Sequence, residues 1–173
     1  TNCNILSNKI SYCGFRGIMG LSIIDSIIEG NIVNYIEETA ASIPNYYGIS
    51  VTRDSSVALS ASAVPLNIII TNNIVQGVPD WIGIDTHAGI KVTITSSKIY
   101  NTKYGINLQY DDVGGFGNNS PKKCLVTANH LESDPVTRDV GITLLGLSNY
   151  PATDCIIDNN IIEDHGAVPN NSQ

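Results

Sequence analysis

Short apolar runs recur along the chain with the same polar punctuation. Each runs strand, Asn-x-Ile (or its equivalent), a variable stretch, Gly-Ile, strand. Copies read Ile5-Leu6-Ser7-Asn8-Lys9-Ile10 to Gly17-Ile18 and Ile69-Ile70-Thr71-Asn72-Asn73-Ile74 to Gly83-Ile84. Two more read Thr93-Ile94-Thr95-Ser96-Ser97-Lys98-Ile99 to Gly105-Ile106 and Val126-Thr127-Ala128-Asn129-His130-Leu131 to Gly141-Ile142. A fainter copy joins Gly30-Asn31-Ile32 to Gly48-Ile49, and a last one, Ile156-Ile157-Asp158-Asn159-Asn160-Ile161, runs to Gly166. The apolar alternation has a period of two, which predicts strands. Recurrence of one strand type every few tens of residues predicts stacked parallel copies, a solenoid, rather than hairpins.

The punctuation predicts the bends. Asn8, Asn72, Asn129 and Asn159 stand two places before an Ile or Leu. Asn tolerates the left-handed backbone of a tight bend, and stacked amides can hydrogen-bond as a ladder. Gly17, Gly48, Gly83, Gly105 and Gly141 are expected at a second bend that excludes a Cβ. Residues 33–47, 75–82 and 132–140, and then 53–65, 111–122 and 145–153, read as loops leaving the coil.

Composition narrows the class. A 42% apolar fraction fills a core, and only 14% charged residues argues against disorder. The net charge of −7 disfavours nucleic acid or an anionic membrane as partner, and no apolar run reaches membrane-spanning length. The four cysteines lack metal-ligand spacing; Cys3, Cys124 and Cys155 adjoin apolar runs and read as buried thiols. The chain opens inside a repeat and is read as one domain, residues 1–173, of a longer protein.

Chemistry concentrates at Trp81-Ile82-Gly83-Ile84-Asp85-Thr86-His87. With Ile84 inward, alternation turns Thr86 inward and sets Asp85 and His87 side by side on the outer face. Parallel stacking then brings Ser50 and Thr52 below them, Asn107 and Gln109 above, and Thr143 one strand further. Tyr110 and Asp111-Asp112 end the next strand, Trp81 enters from before, and Arg53 is the nearby cation on its own strand. Imidazole, carboxylate, amides and an aromatic on one face suit a glycan, whose hydroxyls need many hydrogen bonds and whose rings stack on aromatics. Arg53 is positioned to hold a uronate carboxylate. Glu37-Glu38 and Asp54 read as solvated loop carboxylates, with Ca²⁺ as their candidate ligand. His130 is expected to face solvent, and the three scattered histidines do not form a zinc site.

The repeat pattern resembles the right-handed parallel β-helix family of pectate lyases, polysaccharide epimerases and phage tailspikes, with about six coils. Within it, Gly83-Ile84-Asp85-Thr86-His87 resembles the Gly-Phe-Asp-Pro-His motif of mannuronan C5-epimerases. That resemblance implies catalytic roles for Asp85 and His87, with proton abstraction at C5 of a uronosyl unit. Three positions depart from the family: Thr86 replaces its Pro, Ile82 its catalytic Tyr, and Gln109 a further acid. The implied function is binding and cleavage or epimerisation of an extracellular polysaccharide by a secreted or virion-surface protein, without a resident cofactor. The other reading is a non-catalytic shaft or adhesin segment, with a homotrimer as its candidate assembly.

Overall fold

A computed structural model of the chain describes residues 2–36, 46–54, 63–111, 119–133 and 140–165. The protein is all-β; among these residues every strand pairing is parallel and there is no helix. The six strands of one sheet stack in the order β1 (Asn4–Leu6), β4 (Ile24–Glu29), β7 (Leu66–Thr71), β9 (Ile90–Thr95), β11 (Leu125–Thr127) and β14 (Ile156–Asp158). These are the Ile-rich runs that precede each bend.

The second sheet holds two further rows. One contains β2 (Lys9–Cys13), β5 (Ile32–Ile36), β8 (Ile74–His87), β10 (Lys98–Gln109), β12 (His130–Glu132) and β15 (Ile161–Glu163). The other contains β3 (Arg16–Leu21) and β6 (Tyr47–Thr52), the distal halves of β8 and β10, and β13 (Val140–Leu144). Residues 75–82, expected as a loop, instead lie within β8, which crosses both rows and turns at Gly77 (φ 72°). The variable stretch there is short enough to be absorbed as strand.

The core is the stack of inward aliphatics. Ile28, Ile70 and Ile94 come from the first sheet, Val33, Val75, Ile99 and Leu131 from the second row, and Ile49, Ile84 and Ile106 from the third; all are fully buried. In-register parallel pairing repeats the same inward position on every strand, so like residues stack.

The bend carries two devices at adjacent positions where the Asn-x-Ile spacing suggests one. The left-handed residue is Ser7, Gly30, Asn72, Ser96, Ala128 or Asn159, with φ between 52° and 66°. The residue after it forms the ladder. The Asn8 N–H donates to Asn31 Oδ1 (2.9 Å), Asn31 to Asn73 (3.0 Å), Asn73 to Ser97 Oγ (3.2 Å), Ser97 to Asn129 (3.0 Å) and Asn129 to Asn160 (3.0 Å). Asn72 and Asn159 are therefore bend residues, and Asn73 and Asn160 take the ladder places. Pairing of Lys9 with Ile32 and of Ile32 with Ile74 sets this register. The ladder satisfies backbone donors at a buried corner.

The Gly-Ile glycines are not at left-handed bends; among the described glycines only Gly30 and Gly77 have positive φ. They are required by close packing. A Cβ on Gly83 would lie 2.5 Å from Ile99 Cγ2 and 2.8 Å from the Gly105 carbonyl oxygen, and one on Gly48 would lie 2.6 Å from the Gly83 oxygen. Gly83→Ala is expected to cost about 1–3 kcal/mol of stability, since a neighbouring backbone must shift. A urea midpoint equal to wild type would show that the column tolerates a methyl group.

The described cysteines are free. Cys124 is buried, and burial pushes its thiol up to about 12, so it acts as an apolar core residue. Cys155 is half-buried; Cys3 is exposed, against expectation, because it precedes β1, the edge strand of its sheet among the described residues.

Candidate active site

The register brings the expected residues together. Ser50 pairs with Asp85, Asp85 with Asn107, and Asn107 with Thr143; His87 pairs with Gln109 on the adjacent strand, and Thr52 follows Val51, the partner of Thr86. Ile84 and Thr86 are both fully buried, as inward positions require.

Asp85 lies on the outer side of β8 yet is fully buried. Its Oδ1 accepts from Asn107 Nδ2 at 2.8 Å, and its Oδ2 lies 2.9 Å from His87 Nε2. The side-chain amide of Gln109 also abuts His87 Nε2. An Nε2–H directed at Asp85 leaves Gln109 to meet the ring with its carbonyl oxygen, and makes Nδ1 the unprotonated nitrogen. The His87 side chain is 22% exposed, so solvent reaches the ring while the carboxylate behind it stays dry.

Burial of the ring opposes the imidazolium charge. The Asp85 hydrogen bond, its negative charge and that of Asp111 outweigh burial and a smaller opposing effect of Arg16, so the His87 pKa is raised. The Tyr47 phenol is raised as well, chiefly by burial and then by Asp85, which keeps it a neutral donor.

A cleft of roughly 200 Å³ is lined by Trp81, Ile82, Tyr104, Asn107, Gln109, Thr143 and Leu145; it adjoins the dyad through Asn107 and Gln109, while Asp85 and His87 are not among its lining residues. Asn107 and Gln109 are thus both cleft wall and partners of the dyad. Trp81 and Tyr104 meet edge to face, centroids 5.6 Å apart, and Lys103 Nζ lies 5.9 Å from the Trp81 ring centre. A space this small lies below the range of drug-sized pockets.

Three expected ligands stand apart. Thr52 is half-buried beside His87 but outside the cleft lining, and Tyr110 is half-buried beyond the end of β10. Arg53 is 2% exposed and ion-paired with Asp111, so the guanidinium is committed inside the protein and does not face the cleft. This pairing also removes Asp111 as a partner acid for Asp85. Asp112 and Glu37-Glu38 lie outside the described residues; Asp54, which shared the Ca²⁺ expectation with Glu37-Glu38, is half-buried just after β6.

Sequence reasoning missed Tyr47 and Tyr104. They precede the Gly of Gly48-Ile49 and Gly105-Ile106, in one column with Arg16, Ile82 and Val140. Aligning the repeats on Gly would have displayed that column. No family model, no curated protein and no solved structure matches the chain.

Proposed function

We propose that the chain is a stretch of right-handed parallel β-helix whose outer cleft binds an extracellular polysaccharide and cleaves or epimerises it. The observation that carries this reading is the Asn107–Asp85–His87 chain. It holds a half-buried imidazole over a fully buried carboxylate, next to a cleft walled by Trp81 and Tyr104. Two parallel sheets built from one repeat, with an asparagine ladder at the corner, support the β-helix.

In this reading a pyranose stacks in the cleft, and its hydroxyls bond Asn107, Gln109 and Thr143. His87 Nδ1 takes the proton from C5 of a uronosyl unit, and Asp85 stabilises the imidazolium through Nε2. The C5–H electron pair either forms a C4–C5 double bond as the 4-linked oxygen leaves with a proton, or takes a proton back on the opposite face. Lys103, at the aromatic wall, supplies the cation for an acidic sugar.

The alternative, a non-catalytic shaft or adhesin segment that trimerises, draws on exposed Met19, Leu21, Leu144 and Leu145 near the ends of the same face. It gives no reason to bury Asp85 behind a histidine.

Incubation with polyuronates and with neutral and acidic capsular glycans separates the two. Ultraviolet absorbance from unsaturated sugars, or C5 inversion seen by NMR, is the expected result. No turnover or binding on any glycan, together with trimers in light scattering, would replace this reading with the shaft.

A further inference from the structure

On the second row of strands, away from the cleft, three metal-ligating side chains converge. His130 and Glu132 are two residues apart on β12 and so share its outer face. Glu163 on β15 is the register partner of Glu132. Nε2 of His130 lies 2.9 Å from Glu163 Oε2, and donor atoms of all three residues fall within 4.8 Å of one another. The Tyr100 ring meets His130 edge to face at 5.7 Å, which limits rotation of the imidazole.

We propose that His130, Glu132 and Glu163 bind a borderline divalent cation of the Zn²⁺ type, joining β15 to β12. The donor set decides the class. One imidazole nitrogen and two carboxylates suit Zn²⁺ and its first-row neighbours, whereas Ca²⁺ takes six to eight oxygens. Zinc–ligand bonds near 2.0–2.2 Å put tetrahedral donors about 3.4 Å apart. The present spread brackets that value, so rotation of side chains suffices and the backbone need not move. Three protein donors leave a fourth position for water.

The charge pattern favours a cation independently of donor identity. Glu132 and Glu163 face each other on adjacent strands, an arrangement of like charges that destabilises a sheet. A single imidazole carries at most one positive charge against two carboxylates, while a dication offsets both, and the net charge of −7 adds attraction.

The test uses ZnCl₂ titrated into chelator-treated protein, followed by calorimetry and thermal unfolding. The expected result is saturable binding of one equivalent with a rise in Tm. Glu163→Gln and His130→Gln should each weaken binding at least about 100-fold, beyond the loss caused by an outer-shell change, and abolish the Tm rise. Their metal-free circular dichroism should match wild type. Absence of saturable binding, or variants that bind zinc as wild type does, would overturn the site; the latter would place the ion elsewhere, for instance on the exposed Cys3 thiol. Ca²⁺ binding in preference to Zn²⁺ would overturn the assigned class.

Discussion

Replacing His87 with alanine is expected to lower turnover of a glycan substrate about 100-fold or more, the usual size of a general acid–base contribution and about 2.7 kcal/mol of barrier. The same change strips the buried Asp85 of one of its two partners, which costs stability of its own, about 1–3 kcal/mol. His87→Gln separates the effects. It returns an amide donor to Asp85 but cannot carry a proton, so stability should recover and turnover should not. Recovery of turnover in His87→Gln would show that the ring only braces the strand.

The pH dependence carries the same argument. A base must be neutral, so kcat/KM should rise with pH through the raised His87 pKa and level off above it. Asp85→Asn removes the hydrogen-bonded charge that raises this pKa; burial then dominates, and the acid limb should move to lower pH as turnover falls. Stability runs the other way. The native state holds the proton more tightly than the unfolded chain. The contribution is therefore complete below the unfolded value near ~6.5 and is lost as pH rises through the higher native value. A protein with its activity and stability limbs opposed around one histidine is what the dyad demands.

Much of this arrangement was legible because the repeat carries its own register. Once Gly83-Ile84 and Gly105-Ile106 are aligned, Asp85 must neighbour Asn107 and His87 must neighbour Gln109, and they do. Ile84 inward and Asp85 outward follow from strand alternation alone. What alternation does not give is depth. Asp85 and Arg53 were expected at a surface, yet both are buried, because burial depends on which side chains pack against them, here Asn107 and His87 on Asp85 and Asp111 on Arg53. The asparagines misled by one place for a related reason. In Asn72-Asn73 and Asn159-Asn160 either residue fits a bend, and only long-range strand pairing chooses which amide enters the ladder. The glycines were correctly marked as positions without room for a Cβ, but the obstruction comes from the next strand rather than from local backbone.

Arg53 holds the largest expected stability effect. It follows β6, whereas Asp111 lies just past β10, and β8 runs between those two strands. The ion pair therefore ties three successive repeats together at the end of the strand that bears His87. Both side chains are almost wholly buried, 1% and 3% exposed. Removing one member of such a pair leaves a charge in a poorly solvating site, so Arg53→Ala should cost about 3–5 kcal/mol in urea unfolding. The double replacement Arg53→Met with Asp111→Leu removes both desolvation penalties and should recover most of that loss. It should also lower the His87 pKa in an NMR titration, because Asp111 is one of the charges that raise it. A single variant as stable as wild type would mean that water reaches the pair. A double variant no better than the single would mean that the pair positions the strand ends rather than neutralising charge, and the strand end carrying His87 would then depend on that geometry.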